Sequence, residues 1–83
     1  MYFVYALQSL KDNHLYVGIS ENVEKRLHAH NRGHVKSTKP RRPFKIIYVE
    51  EVSDRKAARN REKQLKSGCG REFLKNIMLH NPV

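Results

Sequence analysis

The chain has 83 residues, one cysteine and a formal charge of +9, from 17 basic and 8 acidic side chains. That length suits one domain, residues 1–83, with a modest core. A lone Cys69 excludes an intrachain disulfide and fits a reducing, cytoplasmic setting. The longest uncharged run, Met1–Leu10, is far too short to cross a bilayer and lacks the basic leader and small-residue cleavage site of a signal peptide.

Residues 2–9 alternate, with Phe3, Tyr5 and Leu7 on one side and Val4 and Ala6 on the other, which predicts a strand covered on both faces. Lys11–Asn13 is a polar turn, and residues 14–19 return as a second strand, so the pair forms an antiparallel hairpin. Tyr5 and Leu7 then lie across from Tyr16 or its neighbours, and Gly18 predicts a close backbone approach or a bulge. Ser20 or Asn22 caps a helix in which Val23, Leu27 and Asn31 share one side and Arg26 and His30 a neighbouring side. Gly33 stops it, and residues 34–43 form an exposed basic loop with two prolines.

Residues 44–52 read as a third strand, with Phe44, Ile46 and Tyr48 on one face and Ile47 and Val49 on the other. Ser53 or Asp54 opens a second helix, whose weak apolar stripe is Ala57, Ala58, Arg61 and Leu65. Glu62 projects beside that stripe, within helical reach of Arg59, Lys63 and Lys66. Gly68 and Gly70 break the helix, and residues 71–79 form a third one that buries Phe73, Leu74, Ile77 and Met78 and that Pro82 cannot extend. The order β-β-α-β-α-α predicts a small α/β (α+β) fold, a three-stranded antiparallel sheet flanked by helices.

Charge is unevenly spread. Lys25 to Val49 holds eight lysines and arginines, with His28, His30 and His34, and no aspartate or glutamate. Such a single-sign field favours a polyanion, and nucleic acid is the expected partner ahead of an anionic membrane surface. Lys25, Arg26, Lys36, Lys39, Arg41, Arg42 and Lys66 are the expected backbone contacts. A module this small has little surface for reading a long site. Weak sequence specificity on duplex or branched DNA is therefore expected, with targeting left to DNA shape, damage or a partner protein; RNA presents the same phosphates. No zinc pattern is present, the four glycines do not form a phosphate loop, and Cys69 has no evident orienting base.

The polar residues that remain are Tyr5, Tyr16, Arg26, His30 and Glu62. Val4-Tyr5-Ala6 and Tyr16-Val17-Gly18 stand as paired tyrosine motifs. Ser20 to Asn31, followed by Gly33, carries Arg26 and His30; Ala58 to Lys66 carries Glu62; Gly70 to Lys75 follows. Taken together these resemble the GIY-YIG nuclease domain family, in its small stand-alone bacterial type, over residues 2 to about 76. Ala6 replaces the final tyrosine of the first motif, and Val17 the isoleucine of the second. The resemblance implies a divalent-metal-dependent endonuclease that hydrolyses phosphodiester bonds in DNA, with Mg²⁺ or Mn²⁺ anchored on Glu62. Arg26 would grip the phosphate through its fork, Tyr5 would act as base with Tyr16 positioning water or phosphate, and His30 would assist or orient a tyrosine. The competing reading is a binding module that does not cleave.

Overall fold

A computed structural model describes residues 1–80. Its elements are β1 (Tyr2–Ser9), β2 (Leu15–Ser20), α1 (Val23–Asn31), a 3-10 turn (Lys39–Arg41), β3 (Phe44–Val52), α2 (Arg55–Lys66) and α3 (Gly68–His80). Pro82, the expected helix stop, lies outside the described residues. The order is the one the sequence predicts, and the sheet runs β2-β1-β3 with both pairings antiparallel. No helix among the described residues is long and apolar enough to cross a membrane.

β1 takes the centre because both of its faces are apolar. Val4 and Ala6, fully buried, join Val17, Ala58, Leu65 and Leu74 under α2 and α3. Tyr5, Leu7 and Phe44 form a second cluster on the opposite face, closed by Tyr16, Val23, Leu27 and Ile46. The period-2 alternation of the hairpin thus sends alternate residues into two separate cores. The hairpin turn is held by Ser9, whose N–H donates to His14 O (2.8 Å) and whose carbonyl accepts from Asn13 N (3.0 Å). Asn13 takes the left-handed conformation this turn needs (φ 62°).

Side-chain caps define the helix starts. Asn22 accepts from Lys25 N (3.0 Å) at α1, and Asp54 accepts from Ala57 N (2.8 Å) at α2. At the α2–α3 junction the glycines do less than the sequence suggests. The break is Ser67 alone: its N–H donates to Gln64 O (3.2 Å), and its hydroxyl accepts from Gly70 N (3.3 Å). Gly68 and Gly70 already belong to α3. Gly70 is needed for close approach, since an added Cβ would strike the backbone of Gln64 and Leu65.

Expectations about side-chain placement change in β3 and α3. In β3, Ala6 faces Tyr48 while Leu7 faces Ile46, so Ile47 is the extra residue of a bulge. Simple alternation puts Tyr48 with Phe44 and Ile46; the bulge turns it onto the α2–α3 face, where its ring meets Phe73 edge-on at 5.3 Å. Phe73 is 41% exposed rather than buried, and Leu74 takes the core position.

Gly18 supplies a close approach, not a bulge. It lies directly across from Tyr5, and a Cβ there would sit 2.6 Å from the Tyr5 hydroxyl and 2.8 Å from Cζ. Gly18→Ala must therefore displace the phenol, and should lower stability in urea unfolding by about 1–3 kcal/mol. Gly68→Ala, whose Cβ would meet nothing within 4 Å, should hold or raise stability. Equal effects of the two substitutions would contradict this packing.

Candidate nucleic-acid site

The site is built where β1, β2, α1 and the loop after it meet. Tyr5 points from the central strand over Gly18, and the phenol is 1% exposed. With α1 capped at Asn22, Val23 and Leu27 pack into the Tyr5–Leu7–Phe44 cluster, and the next turn delivers His30, which is fully buried. Its ring stands edge-on to Tyr16 (centroids 5.0 Å apart), Phe44 (6.0 Å) and Tyr5 (6.3 Å). Asn31 fixes this end of α1 to β3: its Oδ1 accepts from Phe44 N (2.7 Å) and its Nδ2 donates to Phe44 O (3.2 Å).

Hydrogen bonding sets the tautomer of His30. Thr38, also buried, donates its hydroxyl proton to Val35 O (3.3 Å). Its oxygen then accepts from His30 Nδ1–H at 2.7 Å. That leaves Nε2 as the acceptor for the Tyr5 hydroxyl, 3.3 Å away. The result is one directional chain, Tyr5 to His30 to Thr38 to Val35 O. Burial, aided by the Arg26 charge, lowers the His30 pKa from 6.5, so the imidazole is neutral near pH 7. Burial is also the largest influence on Tyr5 and raises its pKa above 10.0; Tyr16 and Glu62 push the same way, while a hydrogen bond and the charge from Arg26 oppose it. The resting pair is a neutral phenol donating to a neutral imidazole.

Arg26 is exposed on α1 and acts on both members of that pair. It also lines a surface cavity of about 380 Å³ with Ser20, Glu21, Asn22, Lys25 and Ala29, at the start of α1. Glu62, on α2, is near enough for its charge to be felt at Tyr5. Tyr5, Tyr16, Arg26, His30 and Glu62 are thus brought to one locality from four elements.

The expected metal is not supported. Among the described residues no group of three or more His, Cys, Asp or Glu side chains gathers so as to hold a metal ion. The carboxylate on the Tyr5 side of the locality is Glu62, whose Oε2 lies 3.5 Å from Lys66 Nζ, while Glu21 lines the cavity beside Arg26. Magnesium and manganese favour several oxygen donors in a near-octahedral shell. A single carboxylate already facing an ammonium group does not provide a centre for Mg²⁺ or Mn²⁺, and that expectation is withdrawn.

The expected backbone contacts divide into two groups. Lys25, Arg26 and Lys66 belong to the locality. Lys36, Lys39, Arg41 and Arg42 lie in the segment after α1, exposed as expected, yet no hydrogen bond joins them to the five site residues. Arg41 Nε is 3.1 Å from Asp12 Oδ2, and Arg42 Nη1 donates to Arg32 O at 3.5 Å. Pro40 O accepts from Lys11 Nζ (3.2 Å), and Ser9 Oγ donates to Arg41 O (2.6 Å). This segment braces the hairpin end as well as carrying charge. Thr38 is the supporting residue that sequence reasoning misses, and its one signal is a threonine within an otherwise basic stretch; Asn31, which spacing places beside Val23 and Leu27, binds the Phe44 backbone.

The lowered pKa of His30 gives a stability signature. The unfolded histidine binds its proton near pH 6.5, and the folded one only at lower pH. Its contribution is therefore complete above about pH 6.5 and is lost as pH falls toward the folded value. Urea unfolding between about pH 7 and 5 should show wild type losing stability more steeply than His30→Gln. Identical slopes would show that His30 titrates as it does in the unfolded chain.

Comparison with known proteins bears on this geometry. The family described as the GIY-YIG catalytic domain matches residues 1–75. A UPF0213 protein of Staphylococcus haemolyticus is 40% identical over 92% of this chain and 93% of its own length. One from Syntrophus aciditrophicus is 39% identical over 96% and 92%, and one from Clostridium perfringens 42% identical over 80% and 71%. No solved structure matches. With the paired tyrosines on adjacent strands, Arg26 and His30 on the first helix and Glu62 on the second, the chain belongs to the GIY-YIG domain family, among relatives of the UPF0213 group.

Proposed function

We propose that this protein is a nucleic-acid-binding module that seats a backbone phosphate of DNA on Arg26, beside the buried Tyr5–His30 pair. The observation that carries this reading is the exposed Arg26 guanidinium set against two neutral polar groups, with Lys25 next to it and an acid-free stretch running from Lys25 to Val49. A planar fork of N–H donors matches phosphate oxygens. Glu62, which on its own would repel the phosphate, is offset by Lys66 at 3.5 Å. The carboxylate is thus compatible with binding and does not by itself require cleavage. We take residues 1–83 as one domain of the small stand-alone type, in line with relatives matched over 92–93% of their own length, and as acting in the cytoplasm.

One observation favours a second reading, hydrolysis of the phosphodiester. The directional chain from Tyr5 through His30 to Thr38 satisfies buried polar groups in either reading, and in this one it also offers a route for a proton. In a nuclease, His30 Nε2 would receive the phenol proton while the phenolic oxygen takes a proton from the attacking water; the water oxygen would bond to phosphorus as the bond to the leaving oxygen breaks, solvent would protonate that oxygen, and Arg26 would bear the charge that builds on the phosphate.

Both readings can be separated in one set of measurements. DNA affinity, followed by fluorescence anisotropy across a salt series, should fall steeply as salt rises. Arg26→Ala should flatten the slope of log K against log salt by about 0.9. Glu62→Gln should hold or tighten binding, and Tyr5→Phe should leave it unchanged. Affinity that ignores salt would reject the binding proposal. Strand scission of plasmid or branched DNA by wild type, abolished in Tyr5→Phe, would establish the second reading in its place.

A further inference from the structure

The cavity beside Arg26 has a neighbour of opposite character. A groove of about 350 Å³ lies between the start of α1 and β3, and it shares Glu21 and Asn22 with that cavity. Its apolar lining is Phe3, Val23, Ile46 and Val49, and Glu24 joins Glu21 at the rim; no lysine or arginine lines it. Val23 and Ile46 are partly buried against the Tyr5–Leu7–Phe44 cluster, whereas Val49 is 45% exposed. Glu51 pairs across from Phe3, and Val49 across from Tyr5, so both stand on the face of the sheet that α1 covers. Glu21, Glu24 and Glu51 are exposed, and among the described residues none of them forms an ion pair. In a chain with 17 basic and 8 acidic residues, these carboxylates around one apolar groove are a local reversal of sign.

We propose that this groove docks a segment of a partner protein in which lysine or arginine flanks an apolar side chain. The apolar side chain seats on Phe3, Ile46 and Val49, and the flanking cations face Glu21, Glu24 and Glu51. The sign of the rim excludes nucleic acid and an anionic lipid surface, whose phosphates these carboxylates repel. A bound metal ion is not the occupant, since among the described residues no group of three or more His, Cys, Asp or Glu side chains gathers so as to hold one. A polyamine meets the carboxylates but leaves Phe3 and Val49 in water. A protein segment answers both features: burial of the apolar lining supplies affinity, and the rim charges set orientation and partner choice. The inference does not depend on the DNA reading. It gives the partner protein expected for targeting a surface of its own, while Lys25 and Arg26 line the neighbouring cavity and stay free for phosphate.

The test titrates the full ¹⁵N-labelled chain, without DNA, with short synthetic peptides: a leucine flanked on both sides by lysines, the same peptide with serine for leucine, and the same peptide with glutamate for lysine. The lysine–leucine peptide should move the amides of Val23, Glu24, Val49 and Glu51 in one saturating process, and the other two should bind about tenfold more weakly or worse. Glu24→Gln should weaken the lysine–leucine peptide about two- to fivefold, the worth of one exposed charge pair. Val49→Ser should weaken it about fivefold through lost apolar contact. Glu72→Gln, which removes an exposed carboxylate of α3 outside the groove, controls for net charge and should match wild type. Equal affinity for the leucine and serine peptides, shift changes centred away from the groove, or no binding of the lysine–leucine peptide overturns the proposal. Changes at the same amides on raising the protein concentration alone would put a second copy in the groove and overturn the partner segment as its occupant. No DNA is present in these titrations, so failure of the DNA reading leaves their outcome unchanged.

Discussion

A phenol and an imidazole, both withdrawn from water, meet at 3.3 Å above a residue that has no side chain. The rest of the architecture can be understood as what this contact requires. The register of β1 on β2 must set Tyr5 opposite Gly18, because any other residue there would expel the ring. α1 must end where it does, so that His30 reaches inward, and Asn31 holds that end by both polar groups of the Phe44 backbone. The loop must then return past the imidazole to place Thr38 on Nδ1. An unpaired buried donor would cost about 1–3 kcal/mol, a serious fraction of what an 83-residue chain can hold in reserve. Among the described residues no buried side-chain nitrogen or oxygen lacks a partner.

The electrostatics follow the same division between inside and outside. Burial keeps the Tyr5–His30 pair neutral, and the charges stand around it: Arg26 exposed, Glu62 half-buried and facing Lys66. Neutral donors and acceptors below a cationic rim suit an anion that arrives from solvent and stops at the rim. The Glu62–Lys66 pair is partly exposed, so its worth to stability is small. Its consequence is local: it offsets the Glu62 charge, which leaves Glu21 as the carboxylate lining the cavity beside Arg26 and Lys25.

Much of the fold is legible in the sequence, for reasons specific to each element. The hairpin can be read because Tyr5 and Leu7 on one phase and Val4 and Ala6 on the other are all apolar, and polar residues 11–13 separate the two strands. The four motifs, in order, point to the five site residues, which do come to one locality. The β3 bulge could not be read, because Phe44, Ile46, Ile47, Tyr48 and Val49 put apolar residues on both phases and either register satisfies the pattern. Arg61 fell within an apolar stripe by spacing; its long stem can lie along the core while its head finds Glu50 across the sheet at 3.0 Å. Thr38 was hidden because its partner His30 lies eight residues away through a non-periodic segment. The divalent metal came from resemblance alone, and the donors around Glu62 do not support it.

In the proposed function a DNA phosphate docks at Arg26 over the buried pair. Backbone amide NMR of the ¹⁵N-labelled protein, titrated with a short DNA oligonucleotide, addresses it most directly. The largest shift changes should fall on Lys25, Arg26, Tyr16, Gly18 and Glu62 and saturate together, with smaller changes at Lys36, Lys39, Arg41 and Arg42. Changes concentrated in residues 34–43 with Arg26 and Gly18 unmoved, or no changes at all, would contradict it.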